Sequence, residues 1–288
     1  MTDEPRPDLA VVIVNYNAGD YLVRCLASLE DAVGDASSEI VVVDNDSHDG
    51  SAQRALRSHP RVRLMPNDTN RGFAAAVNQG IRATTAPFVL LLNPDAEFVS
   101  GTLDGLLKVA RDRPGAGAIG PLVREPDGSI YPSARKVPSI AEGLGHSFLG
   151  PFWPGNPFTR SYTMAGWDRR SERPVEWLSG ACVLLSRRAL DEVGLFDERF
   201  FMYVEDVDMC QRLRAAGWEV LFSPELEVVH AGGVSTRGSK RMTLEHSKSI
   251  YRFFVKHRTG PVWTALRPPA WLALRARAAL VSWRRGER

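Results

Sequence analysis

Two apolar, β-branched runs near the start of the chain decide the fold: LAVVIVNY at residues 9–16 and EIVVVD at residues 39–44. Each run is followed by polar, turn-forming residues and then by a stretch with helical spacing of its apolar positions, beginning near residues 19 and 51. Apolar runs of this kind are typical of strands that are buried on both faces. The pattern therefore predicts an α/β fold with a mainly parallel, Rossmann-like sheet and right-handed crossovers.

The same alternation continues to about residue 114 and then breaks. Residues 143–175 are rich in glycine, proline and aromatic residues and show no clear period, which predicts a long irregular loop. Pro126-Asp127-Gly128 predicts a turn within a hairpin, part of a smaller antiparallel region. The other predicted elements are strands at 62–65, 87–92, 181–186, 219–222 and 226–230 and helices at 73–82, 186–193 and 204–216.

Composition excludes several classes of protein. The chain has 288 residues, 44% of them hydrophobic and 24% charged, which is ordinary for a globular protein and excludes a disordered chain, a collagen-like fibre and a disulfide scaffold. The three cysteines stand far apart, so neither a cysteine-based zinc site nor a disulfide framework is expected, and a reducing cytosol suits them. We also expect no signal peptide and no membrane-spanning helix.

The net charge of +2 conceals a strong asymmetry along the chain. Residues 237–288 contain 13 Lys/Arg and 2 Asp/Glu, whereas the preceding residues contain 23 Lys/Arg and 32 Asp/Glu. From residue 262 onward, tryptophan and leucine are mixed with arginine, a pattern that suits an amphipathic helix at an anionic membrane surface. Pro268-Pro269 predicts that a helix begins there. A packed helix with an exposed basic face remains an alternative, and no nucleic-acid module is recognisable.

Acidic residues follow several of the predicted strands, where open α/β sheets bind ligands. Asp44 ends the second strand, where it either binds a ligand or forms a simple Asx turn. Asp95, in Asn93-Pro94-Asp95, either holds Mg²⁺ or Mn²⁺ beside a diphosphate or belongs to an ordinary turn.

A second group of polar residues lies in the other half of the chain. Glu205-Asp206-Val207-Asp208 opens a predicted helix, where a carboxylate is either a general base or a favourable charge at a helix start. Asp206 and Asp208 cannot share one face of that helix. His230 precedes Ala231-Gly232-Gly233 and is either a metal ligand or a structural histidine.

The order of these residues resembles that of the inverting glycosyltransferases of family 2, which have the A-type fold. The resemblance covers about residues 9–235. It is carried by the stretches IVNYN (13–17), VVVDNDSHDG (41–50), NRGF (70–73), LLNPD (91–95), GLFD (194–197) and EDVD (205–208) and by His230. Each stretch is weak alone, and together they are specific to the family.

The resemblance implies a role for each matching residue. Asp44 would bind the nucleotide base, Asp206 would deprotonate the acceptor hydroxyl, and Asp95 with His230 would hold a divalent metal ion, Mg²⁺ or Mn²⁺. Asn93 replaces the first aspartate of the family's Asp-x-Asp motif, which leaves Asp95 as the main carboxylate ligand. The implied nucleotide-sugar site comprises Asn15, Tyr16, Asn17, Asp44, Asn70, Gly72, Asn93 and Asp95, and the implied acceptor site comprises Trp177, Ser179, Gly180, Glu205 and Asp208.

A closer resemblance, to the rhamnosyltransferases of actinobacterial cell-wall assembly, lies mostly outside these motifs. It is carried by residues 120–133 (GPLVREPDGSIYPS), 149–157 (LGPFWPGNP), 171–180 (SERPVEWLSG) and 196–208. It implies transfer of L-rhamnose from dTDP-L-rhamnose to N-acetylglucosaminyl-diphosphate-polyprenol, at the cytoplasmic face of the plasma membrane, by a peripheral enzyme.

The implied domain organisation is a catalytic domain at residues 1–238 and a basic amphipathic helical tail at residues 239–288. Within the catalytic domain, residues 1–114 would bind the nucleotide sugar and residues 115–238 the acceptor. Alternatives are another nucleotide sugar, a polysaccharide or protein acceptor, or a non-catalytic membrane-associated scaffold. A sugar nucleotidyltransferase is disfavoured, because the first strand–helix turn contains only Gly19 where that class carries a glycine-rich phosphate loop.

Overall fold

The computed structural model describes residues 6–101, 103–150, 152–232 and 240–286. In chain order its elements are β1 (Leu9–Asn15), α1 (Tyr21–Ala32), β2 (Ser38–Asp44), α2 (Ser51–Ser58), β3 (Arg63–Pro66), α3 (Phe73–Arg82), β4 (Phe88–Leu92), β5 (Ala96–Ser100), α4 (Leu103–Asp112), β6 (Ala116–Arg124), β7 (Ala134–Arg135), α5 (Ile140–Leu149), α6 (Pro157–Tyr162), β8 (Arg173–Pro174), β9 (Trp177–Leu178), β10 (Cys182–Ser186), α7 (Arg187–Val193), α8 (Glu205–Ala215), β11 (Glu219–His230), α9 (Lys240–His257) and α10 (Pro261–Gly286).

One large mixed sheet forms the centre of the protein, with strands in the order β3-β2-β1-β4-β10-β6-β11-β5 and with β8 beside β11. Strands β1 to β4 are mutually parallel, as predicted. Strand β10 runs antiparallel between β4 and β6, and β11 is parallel to β6. A separate two-stranded antiparallel sheet joins β7 to β9. The predicted α/β class, with a smaller antiparallel part, is confirmed.

Helices cover both faces of the large sheet, and β1 shows why its sequence is apolar throughout. Leu9, Val11 and Ile13 pack with α1, α2 and α4 on one face, while Ala10, Val12 and Val14 pack with α3 and α8 on the other. Every residue of β1 is buried. Burial on both faces explains the uninterrupted apolar run that opened the sequence argument.

The segment 143–175 was predicted as an irregular loop, and this prediction is wrong. It contains most of α5 and all of α6. Ser139 and Glu142 form a capping box at the start of α5, and Asn156 accepts a hydrogen bond from the Thr159 N–H at the start of α6. These capping residues are the sequence signal that could have predicted the two helices. The helices are so short that glycine and proline obscure their apolar period.

Two further boundaries differ from prediction. Residues 219–222 and 226–230 form one strand, β11, whose register against β6 shifts between Phe222 and Glu227. In the tail, α10 continues through Pro268 and Pro269 instead of beginning there. Each proline removes one helix hydrogen bond, and both side chains are exposed. Within the described residues, no helix is long and apolar enough to cross a membrane.

Candidate active site

A cleft of about 560 Å³ opens at the carboxyl ends of β1 and β4, the position at which α/β sheets bind ligands. One wall comes from the loops that follow β1, β2 and β4. The opposite wall comes from the small β7–β9 sheet and from the start of α8. The tail also contributes, because Arg241, Met242 and His246 of α9 line the same cleft.

Asp44 ends β2 with its side chain 7% exposed, and Asn15 holds it in place. The Asn15 Nδ2 lies 2.7 Å from Asp44 Oδ1 and 2.8 Å from Ser51 Oγ. Asn15 itself is fully buried. The expectation that Asn15 contacts the nucleotide sugar is therefore corrected: its side chain lies behind Asp44 and fixes its orientation.

The loop after β1 is tied to the loop after β2. Asn17 has a left-handed backbone (φ 50°), its N–H donates to Ser47 Oγ at 2.9 Å, and its Oδ1 accepts from the His48 N–H at 2.8 Å. Asn17 thus connects the two loops, whereas its neighbour Tyr16 lines the cleft. The two residues have different positions although they are adjacent in sequence.

Asn45 was missed by the sequence argument and organises the NRGF loop. Its Nδ2 donates to Asn70 Oδ1 at 3.0 Å, and its Oδ1 accepts from the Arg71 N–H at 3.0 Å. Gly72 has φ +87°, and a Cβ there would lie 2.6 Å from the carbonyl oxygen of Phe201. Asn45, Asn70 and Gly72 all line the cleft, and only glycine fits the last position.

Asp95 and His230 come together although 135 positions separate them in sequence. His230 Nε2 lies 3.1 Å from Asp95 Oδ1 and 3.1 Å from Asn93 Nδ2. The contact follows from the sheet, because β11 pairs with β5 and aligns His230 with Ala96. All three side chains line the cleft.

This pair suits a divalent cation. A neutral imidazole nitrogen and a carboxylate oxygen are both electron donors, so their close approach requires either a proton or a cation. Nitrogen and carboxylate ligands together suit Mn²⁺, and carboxylate oxygens suit Mg²⁺. Within the described residues, no cluster of three or more His, Cys, Asp or Glu side chains could hold a metal ion. Asp95 and His230 would therefore supply part of a coordination shell.

Asp206 projects into the cleft from the first turn of α8. Its Oδ2 accepts from the Gly180 N–H at 3.1 Å, and its Oδ1 accepts from the Val207 N–H at 2.8 Å. Burial raises the pKa of Asp206 above its ordinary value, and these backbone hydrogen bonds and the charge of Arg135 oppose that rise. A carboxylate with a raised pKa, held at two oxygens and open to a cleft, can act as a general base.

Glu205 lines the cleft beside Asp206 but is 6% exposed, and its Oε2 has no hydrogen-bond partner. Burial, followed by the charge of Asp206, raises the pKa of Glu205 well above its ordinary value. The preceding residues Tyr203 and Val204 both have left-handed backbones, with φ of 68° and 70°. Such conformations are costly for non-glycine residues and are found at functional sites.

Asp208 does not reach the cleft, and its expected role in acceptor binding is corrected. The side chain is fully buried on the opposite side of α8. It accepts from Arg212 Nε at 2.9 Å, Lys256 Nζ at 2.7 Å and His257 Nε2 at 2.7 Å. Three donors surround one carboxylate, so Asp208 joins α8 to α9. The spacing rule that separates Asp206 from Asp208 on the helix is confirmed.

Residues 10–193 match glycosyl transferase family 2, and residues 137–281 match glycosyl transferase family group 2. The first match alone spans more than half of the chain. The chain belongs to glycosyl transferase family 2.

Relatives and solved structures agree with this family. N-acetylglucosaminyl-diphospho-decaprenol L-rhamnosyltransferase of Mycobacterium tuberculosis is 43% identical over 286 residues, which cover 95% of this chain and 91% of the relative. The mannosyltransferase PcManGT from Pyrobaculum calidifontis, solved with GDP-Man and Mn²⁺, has a TM-score of 0.58 at 19% identity and covers 96% of this chain and 75% of its own. GalNAc-T7, solved with UDP, GalNAc and Mn²⁺, has a TM-score of 0.62 at 17% identity. The match covers 86% of this chain and 48% of GalNAc-T7. The predicted family and A-type fold are confirmed, and the protein is a glycosyltransferase.

A glycosyltransferase must hold a nucleotide sugar and bring an acceptor hydroxyl to a base. The cleft of this family 2 member contains polar groups for the first task at Asn45, Asn70, Asn93 and Asp95. On the opposite wall are Trp177, Ser179, Gly180 and Asp206, which were assigned to the acceptor side and to the base. The two groups of residues thus face one common space, which the predicted residues Asn17 and Asp44 do not line.

Sequence reasoning missed the aromatic and basic part of this wall. Tyr131, Arg135 and Tyr162 line the cleft beside Trp177, as do Arg241 and His246 from the tail. Burial and the charges of Arg277 and His146 lower the pKa of His246 to about 4, so it is neutral near pH 7. Arg135 and Tyr162 lie far apart in sequence and carry no spacing signal. Only the folded chain brings them together.

Proposed function

We propose that this glycosyltransferase moves L-rhamnose from dTDP-L-rhamnose to N-acetylglucosaminyl-diphosphate-polyprenol, in the synthesis of the cell-wall arabinogalactan linker. The observation that carries the proposal is the 43% identity to the mycobacterial rhamnosyltransferase, which extends over 95% of this chain and 91% of the relative. The similarity therefore includes the acceptor wall of the cleft and the tail as well as the nucleotide-sugar motifs.

The reaction proceeds as one in-line displacement at the anomeric carbon of the donor sugar, with inversion. Asp206 takes the proton of the acceptor hydroxyl as that oxygen attacks. Its raised pKa and its two backbone hydrogen bonds support this role. No covalent intermediate is required, so the buried thiols of Cys25, Cys182 and Cys210 have no part in the reaction.

The donor lies along the wall formed by β1, β2 and β4. Asp44 accepts the ring N–H of the thymine base, and the side chains around Asn45, Asn70 and Asn93 surround the rest of the nucleotide sugar. Asp95 and His230 would hold a divalent cation, which when bound would neutralise charge on the leaving diphosphate. The 3.1 Å approach of His230 Nε2 to Asp95 Oδ1 supports this assignment.

The acceptor sugar lies against Trp177, Ser179 and Gly180. Glu205 is the member of the acidic pair whose pKa burial raises further, and its Oε2 is buried without a hydrogen-bond partner beside the acceptor site. Residues 1–114 then form the nucleotide-sugar half, residues 115–238 the acceptor half, and residues 239–288 the basic tail. Arg241 and His246 extend the tail into the cleft.

The enzyme acts as a peripheral protein at the cytoplasmic face of the plasma membrane, because its acceptor is a membrane lipid. Helix α10 supports this location. Among the side chains that the structure describes, one of its faces exposes only apolar ones, namely Val262, Ala265, Leu266, Pro269, Leu272 and Ala276, while Leu274 and Ala278 pack inward. Arginines flank this face, as in helices that bind anionic interfaces.

A donor screen tests the proposal. Purified enzyme is incubated with a short-chain polyprenyl-diphosphate N-acetylglucosamine and, in separate reactions, dTDP-rhamnose, UDP-galactofuranose, UDP-N-acetylglucosamine and other nucleotide sugars. Mass spectrometry of the lipid product should show the mass of one deoxyhexose, with dTDP-rhamnose giving the highest kcat/KM. Preferential transfer of any other sugar would refute the proposed donor, and transfer only to a polysaccharide or protein would refute the acceptor.

A further inference from the structure

One cation in the cleft wall lacks an anionic partner. Arg135, at the end of β7, donates from Nη1 to Tyr162 Oη at 3.2 Å and from Nε to the carbonyl oxygen of Pro132. Its guanidinium carbon lies 5.4 Å from the ring centre of Tyr131, 5.2 Å from that of Tyr162 and 5.0 Å from that of Trp177. Among the described residues, no carboxylate lies within ion-pair distance of it. We call Arg135 and these three rings the Arg135 cage.

The cage keeps Arg135 charged. Burial alone would lower its pKa, but Tyr162, Tyr131 and Asp206 more than offset this effect, and the net shift is upward. The aromatic faces stabilise the cation without neutralising it. A guanidinium has five N–H donors, and two of them are satisfied by the contacts described. The cleft wall therefore presents a permanent positive charge with free donors.

The position of the cage relative to the base identifies its ligand. All three rings, Arg135 and Asp206 line one cleft, and Arg135 is close enough to lower the pKa of Asp206. A hexose hydroxyl that reaches Asp206 lies within one ring width of the anomeric oxygen of the same sugar. In the proposed acceptor, that oxygen carries a diphosphate. Arginine matches phosphate oxygens in a bidentate geometry that lysine cannot reproduce.

We propose that the Arg135 cage binds the diphosphate of the acceptor lipid. This inference rests on the proposed function, and it concerns a different diphosphate from that of the donor, which lies at the Asn93–Asp95 side of the cleft. The cage makes the enzyme select acceptors that carry a sugar on a diphosphate. It also orients the sugar, because one end is held at Arg135 and the reacting hydroxyl is held at Asp206.

The test compares two acceptors in three variants at a pH where the activity no longer changes with pH. One acceptor is the short-chain polyprenyl-diphosphate N-acetylglucosamine, and the other is an alkyl N-acetylglucosaminide of equal chain length without phosphate. R135Q should raise KM for the diphosphate acceptor roughly 10- to 100-fold, since it removes charge-assisted hydrogen bonds, and should lower kcat/KM for the alkyl glycoside by a much smaller factor. R135K should raise the same KM by a smaller factor. The control R188Q removes an exposed arginine that lies over the Trp218 ring, outside the cleft, and should change neither acceptor.

Several outcomes would overturn the inference. Equal losses on both acceptors would mean that Arg135 acts only on Asp206 or on folding, and R135K keeps this comparison available if R135Q does not fold. Weaker binding of dTDP with unchanged acceptor KM would assign the cage to the donor.

A binding measurement separates the cage from the proposed function. Polyprenyl diphosphate without sugar is titrated against wild type, R135K and R188Q, with tryptophan fluorescence as the signal because Trp177 belongs to the cage. Weaker binding by R135K alone would support the cage even if the wild type failed to transfer rhamnose, which would refute only the proposed function. Equal binding by all three proteins would overturn the cage.

Discussion

At the scale of single residues, two adjacent carboxyl groups at the start of α8 have different tasks. Asp206 is held by two backbone N–H groups and must be ionised to accept a proton, whereas Glu205 is buried and its pKa is raised further. Asp206→Asn should therefore lower kcat by about 10²–10⁴-fold, whereas Glu205→Gln, an isosteric change at the buried carboxyl that does not act as the base, should retain kcat within a few-fold. Steady-state kinetics with the diphosphate acceptor measure both values. The reverse ranking would assign the base to Glu205.

The acid side of the pH profile should report Asp206. Burial raises the pKa of this carboxyl, so kcat should fall as the pH drops through that raised value, at a higher pH than an exposed aspartate would give. The charge of Arg135 lowers the pKa of Asp206, so R135Q should move the acid limb to still higher pH. Kinetics across the acid-to-neutral range, with folding checked by circular dichroism, measure the shift. If R135Q does not shift the acid limb, the charge of Arg135 does not affect the pKa of Asp206.

Turnover should depend on the metal ion that Asp95 and His230 are proposed to hold. A chelator should abolish turnover, Mg²⁺ or Mn²⁺ should restore it, and Asp95→Ala should weaken Mn²⁺-dependent binding of dTDP in a calorimetric titration. Glu97→Ala provides the matched control, since this nearby carboxylate pairs with Arg24 and does not line the cleft. Full turnover in excess chelator would exclude the metal role of both residues.

Two of the predicted residues that line the cleft share one property. Asp95 and Asp206 directly follow a strand or begin a helix, so their position along the chain already fixes which end of the sheet they occupy. Asn15 and Asp208 failed for a different reason: they lie next to such residues in sequence, but strand alternation and helix rotation turn them into the interior. The contact between Arg135 and Tyr162 depends on how β7 and α6 pack, which no local pattern records.

At the scale of elements, the tail helix α9 supports the turn that carries the base. The Ser249 hydroxyl donates to the carbonyl oxygen of Met202 at 2.9 Å, and the His246 ring packs at 5.1 Å against the ring of Tyr203. Tyr203 belongs to the strained turn before α8. Since surrounding structure must hold such a turn, α9 helps to position Asp206, the proposed base. The sequence could predict α9 as a helix from its composition, but it gave no sign of this contact.

The buried charges between α8 and α9 should be important for stability. Burial alone would raise the pKa of Asp208, but hydrogen bonds from His257 and Lys256 and the charge of Arg212 hold it below its ordinary value. The stability that Asp208 contributes is therefore present above the ordinary carboxyl pKa and is lost as the pH falls through the lowered one. Asp208→Asn leaves buried cations without their counter-charge and should lower the free energy of unfolding by on the order of 3 kcal/mol.

Urea unfolding at neutral pH measures this effect. The control Lys248→Met breaks a more exposed pair with Glu245 on the same helix and should cost less than about 1 kcal/mol. Asp208→Asn should also lower kcat, because Asp206 lies in the first turn of α8. Equal unfolding energies for the two variants would show that the buried cluster does not hold α9 to α8.

At the scale of the whole molecule, less of the tail's positive charge is available to an external partner than its composition implies. Lys256 pairs with Asp197 and Asp208, and Lys248 pairs with Glu245, so part of the net positive charge is used within the fold. Burial lowers the pKa values of His146 in α5 and His246 in α9, and the charge of Arg277 in α10 contributes to both shifts, so α10 lies near both helices. The turn after α5 exposes Phe152 and Trp153, by 54% and 57% of their surfaces. Exposed apolar surface is therefore not confined to the tail.

The apolar face of α10 allows the proposed membrane association to be tested on the full-length chain. Leu272 is 67% exposed in the apolar face of α10, so Leu272→Asp should leave the core unchanged while it removes apolar contact and adds a negative charge. Loss of one leucine contact corresponds to about 1.5–3 kcal/mol, and binding to anionic vesicles should fall by about 10-fold or more.

Thr264→Asp, on the opposite, exposed side of the helix, makes the same change of charge outside the apolar face and should have a much smaller effect. Vesicle co-sedimentation compares the two variants, and high salt should weaken wild-type binding only in part, since salt screens charge but not apolar contact. If both variants sediment like the wild type, α10 does not touch lipid, and its exposed leucines must serve contacts with protein.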